Sequence, residues 1–155
     1  MKLRIVALGQ RMPAWVDSGY ADYAKRLPRD YALEIVELKA EPRDRGKAVE
    51  QMLAAEATRL RAACTGYRIV ALDERGAAWT TRQLADRLAR WRDEAIEPAF
   101  VIGSADGLDP AFKREAHELL ALSALTLPHA LVRVILAEQI YRAVALATGH
   151  PYHRD

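Results

Sequence analysis

The side chains and turns that could do chemistry gather in the second half of the chain. Three segments combine glycines, hydroxyls or acids with a strand end: Leu72-Asp73-Glu74-Arg75-Gly76, Ile102-Gly103-Ser104-Ala105-Asp106-Gly107, and Leu122-Ser123-Ala124-Leu125-Thr126-Leu127-Pro128-His129. Glycines let a ligand come close to the backbone. The run from Leu122 to Leu127 offers backbone amides and carbonyls with only two hydroxyls, Ser123 and Thr126. That inventory suits an adenine and a thioether better than a triphosphate. A fourth segment, the tail His150-Pro151-Tyr152-His153-Arg154-Asp155, concentrates groups able to move a proton or bind a phosphate. Glu138 and Arg142 stand four residues apart, the spacing at which helical side chains pair.

Several other chemistries are excluded by what is missing. The chain contains no GxxxxGK[ST] phosphate cradle, and no GxGxxG follows its first strand. It has no GxSxG, HExxH or CxxC. A lone cysteine, Cys64, can form neither an internal disulfide nor a thiolate cluster for zinc, so no metal is expected.

The elements that must position these segments alternate. Residues 2–8, 31–38, 68–73, 99–102 and 118–125 read as strands, apolar and rich in β-formers. Residues 14–26, 46–63, from Thr80 or Thr81 through Trp91, and from Pro128 to about Thr148 read as helices, with a short one opened by Asp109-Pro110. Gly76 is expected to close the loop after the third strand, and Gly149 to end the last helix. Alternation of this kind predicts an α/β fold, a mostly parallel sheet of about five strands with helices on both faces. No linker or repeat divides the 155 residues, so one domain over 1–155 is expected. Ligands of open α/β sheets bind at the carboxyl ends of the strands, where the three segments fall. The last helix is apolar round most of its circumference, which predicts a central position or a second subunit against it.

Bulk properties bound the partners. The net charge is only +2, so bulk charge cannot grip nucleic acid. Of 23 basic residues, five are lysine and 18 arginine, whose planar fork suits phosphate. Local patches are then the candidates for RNA contact: Arg4, Arg11, Arg26, Arg29, Arg43 and Arg45, with the tail. The apolar stretch 130–148 carries Arg133, Glu138, Gln139 and Arg142 and is a poor membrane span. The N-terminal apolar run is too short for a signal peptide, so a cytoplasmic protein is expected.

The run LSALTLPHALVRVILAEQIYRA, followed by HPYHRD, resembles the bacterial ribosomal RNA large subunit methyltransferase H family of the SPOUT superfamily. The likeness spans the chain, including the opening KLRIVALG, the segment LDERG and the segment IGSADG. Ser104 departs from it, since the family usually has a second glycine there.

The resemblance implies properties that composition could not. They are a C-terminal trefoil knot, a homodimer with a composite active site, and S-adenosylmethionine as cofactor. It places the cofactor on Leu72, Gly103, Leu122, Ser123, Ala124, Leu125, Thr126 and Leu127. The implied reaction is methylation of N3 of a pseudouridine in helix 69 of 23S rRNA, within the assembled ribosome. The N3–H of the base must be lost around the time of attack, and His153 is the candidate to take it. Tyr152 is a candidate to stack on or bond the base, and Arg154 to contact it or a phosphate. His129 could lie near the methyl group or cap the last helix. Glu138 and Arg142 could be an interface ion pair, or Arg142 could reach RNA across the dimer. His117 and His150 are expected to be structural. Three alternatives remain at this point: another rRNA or tRNA target, an RNA-binding module without catalysis, and a flavodoxin-like mononucleotide binder.

Overall fold

Alternation along the strands decides which helices cover which face. The computed structural model describes residues 1–43 and 46–152. In chain order it forms β1 (Lys2–Leu8), α1 (Ala14–Ala24), β2 (Ala32–Leu38), α2 (Val49–Ala63), β3 (Arg68–Ala77), α3 (Thr81–Asp93), β4 (Pro98–Ile102), α4 (Pro110–Glu115), β5 (Glu118–Leu120) and α5 (His129–Thr148). The strands make one parallel sheet in the order β2-β1-β4-β3-β5. Successive strand side chains point to opposite faces. Leu3, Ile5 and Ala7 of β1 therefore join Phe100 and Ile102 of β4 in a core with Leu88 and Trp91 of α3 and Leu136 and Ile140 of α5. Val6 and Leu8 go the other way, with Ala99 and Val101, onto Ala57 and Leu60 of α2 and Phe112 of α4. Helices α1, α3 and α5 thus share one face, and α2 and α4 the other. This is the expected fold class.

Helix α5 is apolar all round because it lies between α1 and α3 on the sheet. Val132, Leu136, Ala137, Ile140, Val144 and Ala145 are all buried within the one chain. Arg133 on the same helix is only 1% exposed. Its guanidinium pairs with the Glu37 carboxylate of β2, and Nη2 donates to the Gly9 carbonyl at 2.8 Å. The pair ties α5 to the carboxyl ends of β1 and β2. Replacing Arg133 with alanine is expected to destabilise the fold by about 3 kcal/mol in denaturant titrations. That is the low end for a broken buried pair, because Glu37 is 35% exposed and can rehydrate.

Several boundaries differ from the sequence reading. The strand expected over 118–125 stops at Leu120, because β5 is an edge strand and pairs with β3 only through Glu118, Leu119 and Leu120. Residues 121–128 are loop, in which the Leu125 amide donates to the Ser123 hydroxyl at 2.9 Å and turns the chain. Strand β3 runs to Ala77 instead of ending near Asp73, with an irregularity that lets both Leu72 and Ala77 pair with Leu120. Gly76 lies inside it and does not close a turn. A Cβ there would stand 2.6 Å from the Leu119 carbonyl carbon, so only glycine lets β3 and β5 approach this closely. Helix α2 begins at Val49, not 46, and α1 ends at Ala24, not 26.

Candidate active site

The connections of a doubly covered sheet open a crevice where neighbouring loops leave for opposite faces. Here β4 leads to α4 on one face, while its neighbours β1 and β3 lead to α1 and α3 on the other. The loop after β4 therefore sits at such a crevice, and it begins with Gly103. Leu72, the residue of β3 directly after its last pair with β4, is half-buried, and the loop 121–128 follows the adjacent β5. The three sequence segments are thus brought together along one edge by strands β4, β3 and β5.

Each segment has a reason for its shape. Gly103 is pressed so closely that a Cβ would stand 2.7 Å from the Gly107 carbonyl oxygen. The turn after it is closed by the Gly107 amide on the Ser104 carbonyl at 2.9 Å, and Gly107 has φ +82°. Asp73 pairs with Lys113 at 3.3 Å, tying the β3 segment to α4. In the third segment Ala124, Leu125 and Thr126 are exposed, while Leu122, Ser123 and Leu127 are half-buried. Leu125 is 76% exposed, among the most accessible large apolar side chains described. A cavity of about 350 Å³ opens nearby between Trp79 and Thr80 before α3 and Ile135 and Gln139 of α5. It shares Leu122 with the third segment, but none of the other residues expected at the cofactor.

The catalytic candidates divide into two places. Glu138 and Arg142 do pair, through Arg142 Nε at 2.8 Å and Nη2 at 2.7 Å. Tyr152 folds back onto them. Its hydroxyl donates to Glu138 Oε1 at 3.2 Å, the Arg142 guanidinium lies 4.9 Å from its ring centroid, and its ring packs tilted at 51° against Tyr141, the centroids 4.5 Å apart. Burial, and then the Glu138 carboxylate, push the Tyr152 phenol above its ordinary value, so it remains a neutral donor. The hydrogen bond that Arg142 donates to Glu138 raises its pKa further and keeps it a cation. His129 is elsewhere. It is the first residue of α5, roughly 14 Å along the helix from Glu138 and next to the loop 121–128. His153 and Arg154 lie outside the described residues. His117 accepts the Ile69 amide on Nδ1 at 2.9 Å, and His150 accepts the Tyr152 amide at 3.2 Å. Both bonds are internal to the fold.

The arginines proposed for RNA also divide. Arg4 pairs with Glu34 at 2.5 Å and bonds the Ala63 carbonyl, and Arg26 pairs with Asp22 at 2.8 Å. Arg43 is bound up with Glu56, Ser104 and Asp106. Arg11 and Arg29 are exposed and make no hydrogen bond or ion pair among the described residues. Arg45 lies outside them. Glu56 itself was missed by sequence reading, although a signal exists. It occupies the stripe Met52, Leu53, Glu56, Ala57, Leu60, where helical spacing faces the core.

Comparison with known proteins agrees with this architecture. Residues 1–153 match a family model described as "Predicted SPOUT methyltransferase". A protein of Nitrosospira multiformis named ribosomal RNA large subunit methyltransferase H is 54% identical over 99% of both chains. The protein of the same name from Laribacter hongkongensis is 54% identical over 100% of both. Among solved structures, one described as "Probable Methyltransferase from Bordetella pertussis Tohama I" superposes with a TM-score of 0.58 at 20% identity, covering 92% of this chain and 95% of that one. A methylase family protein from Neisseria gonorrhoeae gives 0.56 at 20% identity, over 90% and 81%. These two likenesses concern the fold. The full-length match in sequence decides the family: the chain belongs to the SPOUT methyltransferases, and within them to the ribosomal RNA large subunit methyltransferase H family.

Proposed function

We propose that this protein methylates ribosomal RNA of the large subunit, using S-adenosylmethionine, at N3 of a pseudouridine in helix 69 of 23S rRNA on the assembled ribosome. The observation that carries the reading is the meeting of Gly103, Leu72 and the loop 121–128 at one carboxyl edge, with no room for a side chain at Gly103. The relatives' names supply the substrate class. The residues present fit the cofactor: backbone amides and carbonyls of Leu122 to Leu127 for the adenine, apolar Leu72 and Leu125 beside it, and a close backbone at Gly103. The cofactor supplies an electrophilic methyl on sulfur, so the protein's work is to orient and to move a proton.

Two copies are proposed to build each site, and the geometry of α5 favours this. Tyr152 is docked at Glu138 and Arg142, whereas the loop 121–128 stands at the opposite end of the helix. A tail docked beside Glu138 and Arg142, away from its own loop 121–128, is proposed to serve another copy's pocket. Leu125 at 76% exposed and Trp15 at 56% offer apolar surface for that copy. In the assembled site His153 takes the N3 proton, Tyr152 holds the base, and Arg142 and Arg154 steady the oxygens and a phosphate. His129 orients the pocket end of α5. The knotted passage of the C-terminal region is carried over with the family. No helix among the described residues is long and apolar enough to cross a membrane. The cytoplasm, where ribosomes are, is the proposed location.

The test is incubation with radiolabelled S-adenosylmethionine and ribosomes from cells lacking this activity, followed by mapping of the label. Label is expected at a helix 69 pseudouridine and is expected to disappear with ribosomes that carry uridine there. Label at another rRNA or tRNA site would overturn the target. Cofactor binding without any label would overturn the substrate assignment, and absence of cofactor binding would leave a non-catalytic RNA-binding module in its place.

A further inference from the structure

We propose that Glu56 is a positioning residue for methyl transfer, holding the loop after β4 through Ser104 and Arg43 in the shape that receives the cofactor. The proposal rests on the assignment of Gly103 to the cofactor pocket made above.

Glu56 is 1% exposed on the inner stripe of α2. A carboxylate is not kept in a core without partners. Oε1 accepts from the Ser104 hydroxyl at 3.1 Å, and Oε2 accepts from the Glu41 amide at 2.9 Å and from Arg43 Nη1 at 3.2 Å. Arg43 closes the ring. Its Nη2 donates to Ser104 Oγ at 2.7 Å, its Nε to Asp106 at 2.8 Å, and Nη1 also to the Glu41 carbonyl at 2.9 Å. Ser104 and Asp106 both belong to the turn that Gly107 closes. Residues 41–43, Glu56 and the turn 104–107 therefore fix one another from three distant parts of the sequence.

The network reaches the turn directly after Gly103. A turn tied at two of its side chains is held in one shape before the cofactor arrives, and such preorganisation favours binding. Packing alone does not require a charge at this position, because apolar residues commonly replace buried ion pairs without loss of stability. The carboxylate's contribution is the placement of the turn. Ser104 is the piece that connects it: a glycine at this position has no hydroxyl to stand between carboxylate and guanidinium.

The test is calorimetric titration of S-adenosylmethionine into the full-length protein and its Glu56→Gln, Ser104→Ala, double and Ser104→Thr variants. Each of the first two is expected to weaken binding about tenfold, and the double variant to bind no worse than Glu56→Gln alone, because both act through one contact. Ser104→Thr is expected to restore parental affinity. With ribosomes, KM for the cofactor rises while kcat at saturation holds, and the melting temperature of Ser104→Ala stays parental. Parental affinity in both single variants, additive losses, or a loss that threonine does not rescue would overturn the proposal. If Glu56→Gln fails to fold, Ser104→Ala against Ser104→Thr decides it. Absence of cofactor binding by the parent protein is a separate result and removes the pocket assignment itself.

Discussion

A chain ending at Thr148 is expected to bind S-adenosylmethionine normally and to transfer its methyl group at least about 10²-fold more slowly. The truncation removes Tyr152, His153 and Arg154 and leaves Gly103, Leu72 and the loop 121–128 intact. Proton removal by a positioned group contributes roughly 10²–10⁴-fold, so losing the tail exceeds any effect of a surface charge. The stronger test is complementation. Co-expression of the truncated chain with a full-length chain carrying Gly103→Val pairs an intact pocket with an intact tail in mixed dimers. Random pairing makes half of the dimers mixed, each with one complete site, so about a quarter of the parental rate should return. Failure to recover activity, with mixed dimers verified by mass, would remove the composite site and place each tail on its own pocket. Because Tyr152 packs against Tyr141, the melting temperature of the truncated chain is measured alongside. A moderate fall leaves the complementation result decisive, since recovery requires folded partners.

What could be read from the sequence, and what could not, follows the range of the interactions involved. The strands β1 and β4 announce themselves because apolar alternation and burial on both faces act over a few residues. Thr80 is legible for the same reason: its hydroxyl accepts the Gln83 amide while the Gln83 side chain reaches back, a capping box contained in four residues. The segment Leu122 to Leu127 misleads, since its composition is that of a buried strand. It becomes loop because β5 is an edge strand with no neighbour beyond it, a fact of topology that composition does not carry. Gly76 misleads in the opposite direction: a glycine that looks like a turn is a contact between two strands. Arg43 and Glu56 are the clearest case. Each is unremarkable in its own segment, and their meaning appears only when the chain before α2, α2 itself and the loop after β4 meet, with Arg43 at 3.2 Å and Ser104 at 3.1 Å from Glu56. The pairing of Glu138 with Arg142 was legible from spacing, whereas the return of Tyr152 onto that pair depends on how the chain leaves Gly149. That residue ends α5 in the left-handed conformation, φ +74°, and reverses the chain.

Gly103→Ala is expected to weaken cofactor binding severely while leaving most of the fold in place. The new methyl would lie 2.7 Å from the Gly107 carbonyl oxygen, 2.8 Å from its carbon and 3.0 Å from Leu108 Cγ. Two of these atoms are backbone, and the third belongs to a side chain only 5% exposed, so none can swing away. The turn cannot retreat as a unit either, because Ser104 and Asp106 are bound to Arg43 and Glu56. The clash is relieved by moving Gly103 itself, the residue proposed to lie against the cofactor. A shift of several tenths of an ångström there is expected to weaken S-adenosylmethionine binding on the order of 10²-fold, against a stability loss of about 1–3 kcal/mol for overpacking. Gly66→Ala is the control. Gly66 has φ +83° and nothing within 4 Å of an added Cβ, and it precedes β3 at the opposite edge of the sheet. It is expected to cost about 1–2 kcal/mol of stability through backbone strain and nothing in affinity. The two alanines should therefore be alike in melting temperature and far apart in calorimetric titration. Equal affinities would mean that the cofactor does not rest on Gly103, and the pocket would have to be sought in the cavity beside Trp79 and Gln139.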